Sequence, residues 1–302
     1  MTGIDEAAAL VALLRVSQRS WAEVAADVAF AGSAVEIWER ADDGTLLPDP
    51  DRSSALARAQ RDVETWRAAG LRMVTVLDAC YPQRLLDIHE VPPFLFVEGT
   101  LLPDDSGMSV VGSRAASEHG LKIARAAAGI LVERGLSVVS GLATGIDTAA
   151  HQAALAMSGR TVAFIGTGIT GFYPAANKAL QARIAAEGLV ASQFWPAAPP
   201  TKQTFPVRNA TMSGYGLASI VVEAGENSGA RIQARLAVEH GRPVVLTDTV
   251  AQSTTWGARL ATRPGVHVVD SIDSLERTVD TIVAERDSTA QALQGLAAAI
   301  SA

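Results

Sequence analysis

The sequence predicts an α/β protein: a doubly wound, mostly parallel sheet preceded by a small helical N-terminal domain. From Gly107 onward, short β-branched runs alternate with amphipathic stretches of helical length. Most of those runs are almost continuously apolar, as strands buried on both faces are. Glycines recur at their carboxyl ends, where open α/β sheets carry their ligand sites.

Bulk properties narrow the class. The 302 residues are 48% hydrophobic and 19% charged, enough to bury one large core and a satellite domain. The single cysteine, Cys80, excludes an internal disulfide framework, and no Cys or His pair has zinc-ligand spacing. No apolar run approaches the roughly 18 residues of a membrane span, and Met1 to Glu6 lacks a basic signal-peptide start, so a cytoplasmic location is expected. The formal net charge is −7, but unevenly placed. Residues 1–105 carry 9 basic and 18 acidic side chains, 106–250 carry 12 and 8, and 251–302 carry 4 and 6. A basic middle between acidic flanks permits anion binding there.

The elements follow in order. "EAAALVALLRV", "SWAEVAADVAFA" and "SSALARAQRDVETWRAAG" have helical apolar spacing, the last closing on Gly70 as a C-cap, and "ADDGTLLPDPD" links the second to the third. After "LRMVTVL" comes the proline-punctuated "YPQRLLDIHEVPPFLFVEG". Strands are then expected at "MSVVG", "LSVVS", "TVAFIG", "LVASQ", "ASIVVEA", "PVVLT" and "VHVVD", with helices over 117–134, 147–158, 175–187 and 229–240. The boundaries are a helical domain over 1–72, an α/β domain over 73–270 and a helical tail over 271–302.

Each strand end offers chemistry beside a plainer structural reading. In "VVGSRAASEHG", Gly112 permits close backbone approach, Ser113 offers a hydroxyl, Arg114 can fork onto a phosphate, and Ser117 is a natural N-cap; a tight turn with a surface arginine is the alternative. In "SGLATGID", Gly141 and Gly145 bracket a turn that can cradle an anion, while Asp147 reads as a helix N-cap. "GTGITG", from Gly166 through Gly168 to Gly171, matches a dinucleotide fingerprint. However, the next strand ends in Ser192 and Gln193 rather than a ribose-binding acid, and Pro174 delays the helix. "FPVRNATMSGYG" places Phe205, Arg208 and Asn209 at or within a short helix, a stacking and phosphate-pairing set or else a buried ring with a helix-start arginine. Glu223 ends a strand and Ser228 with Gly229 opens the next helix, again an anion-type turn. His119, His151 and His240 fall in helices, no nucleophile and base pair up, and no P-loop is present.

Taken together, "VVGSR", "VVSGLATGIDTAAHQAAL", "GTGITGFYPAANKAL", "FPVRNATMSG" and "IVVEAGENSGARIQARLAVEHGRPV" resemble, in order and spacing, the DNA-processing protein A family (DprA, also called Smf). The likeness covers roughly residues 80–247. The resemblance implies an extended Rossmann-like domain that binds single-stranded DNA, dimerises and passes the strand to a RecA-type recombinase during natural transformation, with no catalysis and no cofactor. It also implies a small helical, SAM-like N-terminal domain. By position, Gly112, Ser113 and Arg114 would meet a phosphate, and Ser140, Gly141, Thr144 and Gly145 would line the same pocket. Tyr173, Pro174, Asn177 and Lys178 would form a wall, and Phe205, Arg208 and Asn209 would complete the groove with Lys202 at its rim. Gly166, Gly168, Ser228 and Gly229 would supply further phosphate-approach turns.

The chain departs from the family pattern at Thr144 and Ala210, where relatives usually carry arginines, and "LTDTVAQ" lacks the usual Pro-Gly. Losing two cations predicts binding weaker by roughly one to two orders of magnitude near 0.1 M salt. Two alternatives keep the fold: a sensor of a free nucleotide, and a nucleotide ribohydrolase in which Gln233 stands near the catalytic glutamate's place and Glu223 or Glu226 serves as the acid.

Overall fold

The alternation expected after Gly107 is present in the computed structural model, which describes residues 4–40 and 50–301. The linker expected over 41–51 falls largely outside the described residues. In chain order the elements are α1 (Glu6–Val16), α2 (Trp21–Ala31), α3 (Ala34–Arg40), α4 (Pro50–Ala68), β1 (Arg72–Thr75), β2 (Phe94–Gly99) and β3 (Gly107–Val111). There follow α5 (Glu118–Glu133), β4 (Ser137–Ser140), α6 (Ile146–Ala156), β5 (Thr161–Phe164), α7 (Lys178–Glu187), β6 (Leu189–Ser192) and α8 (Thr204–Tyr215). The chain ends in β7 (Ser219–Val221), α9 (Gly229–Glu239), β8 (Val244–Thr247), α10 (Asp248–Ser253), α11 (Thr255–Leu260), β9 (Val266–Val269) and α12 (Ile272–Ser301).

The chain forms two units, residues 1–105 with 162–215, and residues 106–161 with 216–302. In the first, the strand order is β1-β2-β6-β5. β5 and β6 are parallel, whereas β2 runs antiparallel to both β6 and β1. β1 and β2 are additions to the expected strand set: the prolines before "FLFVEG" mark the start of a strand rather than a lead-in loop. The helices begin where their side chains dictate. Asp5 caps α1 through Ala7 N–H at 2.9 Å, and Ser20 with Glu23 forms a reciprocal capping box on α2. Gly70, at φ +75°, closes the turn after α4. Trp21 and Trp66 then pack on Trp195, at ring separations of 5.0 and 5.7 Å, and Phe94 stacks on the same indole at 4.8 Å. This aromatic cluster holds the N-terminal helices against β2.

The second unit is all parallel, in the order β4-β3-β7-β8-β9. Its core joins Met108 and Val110 of β3, Val138 of β4, Ile220 of β7 and Val245 of β8 to alanines of α5 and α6. Small residues there let the helices lie close to the strands. From β3 the chain crosses by α5 to β4 on one side, and from β7 by α9 to β8 on the other. The strand order therefore reverses between β3 and β7, and a doubly wound sheet binds ligands at the carboxyl ends beside that point. α12 covers α5 through Leu275, Val279 and Ile282, and Arg134 anchors it with bonds to Asp280 at 2.5 Å and Glu276 at 2.8 Å.

Two outcomes follow. Trp195→Ala is expected to lower unfolding free energy by about 3 kcal/mol, measured by urea denaturation, because three ring contacts are lost together. The Arg134 hydrogen bond holds the Asp280 carboxyl below its ordinary value. A depressed folded-state value stabilises above the unfolded pKa and loses that stabilisation as pH falls through the folded one. The melting-temperature gap between wild type and Asp280→Asn is thus expected to be open at pH 7 and to close below about pH 4.

Candidate nucleic-acid interface

In the second unit the turns after β3, β4 and β7 are bound to one another through the main chain. Ser113 N–H donates to Glu223 O at 2.6 Å, and Ile146 N–H donates to Ser113 O at 3.2 Å. No side chain fits between them. A Cβ on Gly112 would lie 2.6 Å from Ile146 Cγ1 and 2.7 Å from Glu223 O, and one on Gly145 would collide with Ser113 O. Gly145 also has φ +77° and ψ −123°, a region open only to glycine. The Glu223 carboxylate accepts from Ser117 N–H at 3.0 Å and from the Ser117 hydroxyl, while Ser117 Oγ caps α5 at Gly120 N–H, 3.0 Å away. The expected Ser117 cap is thereby present, and the carboxylate behind it holds the turn. Arg114 and Thr144 stand exposed on this frame, with Ser113 half-buried.

Asp147 corrects its expected role. α6 starts at Ile146 with Gly145 as its cap, so Asp147 lies inside the first turn. Its buried carboxylate accepts from Gly141 N–H at 3.1 Å and Ala143 N–H at 3.3 Å. The cradle read at Gly141 to Gly145 is accordingly wound around the protein's own carboxylate, and those two donors face Asp147 rather than a ligand. Leu142 between them takes φ +59° with its side chain fully buried. Ser140 is also buried, donating to Val110 O at 2.6 Å. Ser228 caps α9 through Ala230 N–H at 3.2 Å, with Gly229 exposed beside it.

The first unit gathers the other expected residues. Tyr173, 42% exposed, lies 5.4 Å from the half-buried Phe205. Lys178 places its ammonium 4.7 Å from the ring centre of Phe172, which is 44% exposed. Val207 of α8 is 43% exposed, and Lys202 is exposed on the turn whose Thr201 and Thr204 hydroxyls cap each other's N–H groups at the start of α8. Phe172 and Val207 were not among the expected residues; Phe172 sits in a glycine- and proline-bracketed "GFYP", the only local sign of its exposure.

Several expected contacts point inward instead. The open side of Gly166 is filled by the Phe205 ring, whose Cδ1 would be 2.7 Å from a Cβ there, and that of Gly168 by the Trp195 and Pro196 carbonyls. Both glycines admit neighbouring protein on the side a Cβ would occupy. Arg208 is 5% exposed and donates to Phe164 O at 2.7 Å; Asn209 and Asn177 are buried too. Ala210 is 3% exposed. What stays at the surface of this unit is Phe172, Tyr173 and part of Phe205, with Lys178 and Lys202 exposed.

A parallel α/β unit with an arginine-bearing turn at its switch point defines a Rossmann-like fold. The DNA recombination-mediator protein A family matches residues 72–280, and the chain belongs to that family. DNA processing protein DprA of Streptococcus pneumoniae is 42% identical over 200 residues, 65% of this chain and 70% of that one. Protein Smf of Synechocystis is 39% identical over 178 residues, 57% of this chain but only 45% of the relative, so this chain spans less than half of that protein. The X-ray structure of S. pneumoniae DprA superposes with a TM-score of 0.63 at 32% identity, covering 90% of this chain and 93% of that one. A Helicobacter pylori structure, described as showing the single-stranded DNA binding mode of DNA processing protein A, shares the fold with a TM-score of 0.61 at 22% identity, covering 70% and 96%.

Gly145→Ala is expected to reduce stability by roughly 3 kcal/mol, since it adds both a clash and a disfavoured φ. A guanidinium-chloride midpoint close to that of wild type would show that the turn relaxes.

Proposed function

We propose that this protein is a single-stranded DNA-binding recombination mediator that loads a RecA-type recombinase during natural transformation, acting as a cytoplasmic homodimer and without catalysis. The observation that carries the reading is Arg114, exposed on a turn fixed by main-chain hydrogen bonds to two neighbouring turns at the switch point of a parallel sheet. Such an arginine meets phosphate oxygens with little ordering cost. The rings of Phe172, Tyr173 and Phe205 suit base stacking, worth about 1–3 kcal/mol per base and tolerant of sequence. Membership of the recombination-mediator family and the DNA-binding description of the H. pylori relative support the same reading.

The acids and the amide of the ribohydrolase alternative are engaged elsewhere. Gln233 is fully buried and donates to Ser219 Oγ at 3.1 Å, the Glu223 carboxylate holds Ser117, and Glu226 accepts from Thr255 N–H at 2.9 Å.

Fluorescence anisotropy with labelled poly-dT across a salt series tests the proposal. Arg114→Ala is expected to weaken binding uniformly across sequences and to lower the salt slope by about one contact, whereas Thr144→Arg is expected to tighten binding and steepen the slope. Salt-insensitive binding, or affinity untouched by Arg114→Ala, defeats the reading.

A further inference from the structure

Four arginines of the second unit converge on one hollow. Arg231 and Arg235 of α9, Arg259 of α11 and Arg263 just beyond it line a space of about 360 Å³, together with Trp256 and Leu260. All four arginines are exposed. Carboxylates answer only part of this charge. Arg235 pairs with Glu239 at 2.6 Å, and Glu226, fixed by Thr255, is held below its ordinary pKa mainly by those hydrogen bonds with Arg231 adding to them. Arg259 and Arg263 carry no ion pair among the described residues. In a chain of net charge −7, this is a local excess of positive charge that neighbouring acids do not neutralise.

The lining also has a second character. Trp256 is largely buried, its indole N–H donating to Gly225 O at 3.3 Å, so with Leu260 it forms a fixed apolar wall between the guanidinium groups. Planar guanidinium forks match phosphate oxygens two at a time, and a flat apolar wall matches a heterocyclic base. The volume lies within the range of small-molecule sites, roughly 300–1,000 Å³. We propose that this hollow is a second anion site, separate from the Arg114 turn, that takes a phosphate ester bearing a flat base: a nucleotide, either free or within a strand.

The test follows the Trp256 indole N–H resonance by protein NMR, assigned with Trp256→Phe, during titration with dAMP, with a dT12 oligonucleotide and with poly-glutamate. Saturable movement with dAMP supports the site and assigns a free nucleotide; movement with dT12 but not dAMP supports it and assigns a strand. Either shift is expected to weaken at least tenfold in the Arg259→Ser/Arg263→Ser variant, whose melting temperature should match wild type because both side chains are exposed and free of ion pairs. The shift is expected to persist in Arg114→Ala, so failure of the DNA-binding proposal and failure of this one are read separately. No movement with either phosphate probe, movement with poly-glutamate alone, an undiminished shift in the double variant, or its loss in Arg114→Ala overturns the proposal.

Discussion

The absence of side chains at Gly112 and Gly145 is the constraint on which the surrounding architecture depends. Because no Cβ separates them, the main chain of Ser113 fits between the turns following β7 and β4, donating to one and accepting from the other. Three strand ends thus share hydrogen bonds that would otherwise need water or a ligand. The same contact sets the start of α6 and, through Glu223 and Ser117, the start of α5. Arg114 and Thr144 are exposed on this frame, which also exposes Ala115, Ser117 and the Gly225–Asn227 stretch after β7.

Arginine placement shows how one residue type is divided between tasks. Arg208 is buried and bonded to a main-chain carbonyl, where removing its charge from water is compensated only by such bonds. Arg134 is partly exposed and joins α5 to α12 through two carboxylates. Arg114 is exposed, and only a cation still reachable by solvent can release counterions from a polyanion. The overall acidity of the chain does not oppose this, because at about 0.1 M salt fields decay within roughly 10 Å and the local sign prevails.

The legible parts of the sequence were those governed by neighbours a few residues away. Ser117 caps the helix it precedes, as expected, since a hydroxyl reaching an N–H three residues on is a local event. The apolar runs after Gly107 all became strands for the same reason. β2 was less legible because Pro92 and Pro93 read as loop, and what makes "FLFV" a strand is pairing with β6, nearly a hundred residues later. Asp147 looked like a cap, but the positive φ at Leu142 and Gly145 folds the turn back so that its carboxylate meets Gly141 and Ala143 instead. The exposure of Phe172 and the convergence of Arg231 and Arg263 on one hollow are tertiary facts with no short-range signature.

The same distinction revises the charge deficit inferred from the family pattern. Thr144 and Ala210 each stand where relatives tend to carry arginine, and read as sequence both remove a phosphate contact. Only Thr144 is on the surface: Ala210 is enclosed within α8, and in this fold a guanidinium at that position would have to enter the interior or displace its neighbours. Position 210 therefore contributes to packing, and on the proposed reading the missing surface cation is the one at Thr144. For a single strand that amounts to about 0.7 in the logarithmic salt slope, a modest loss beside the stacking area still offered by Phe172, Tyr173 and Phe205. On the proposed reading, binding in this chain would rest less on phosphate pairing and more on base stacking, which salt screens far less.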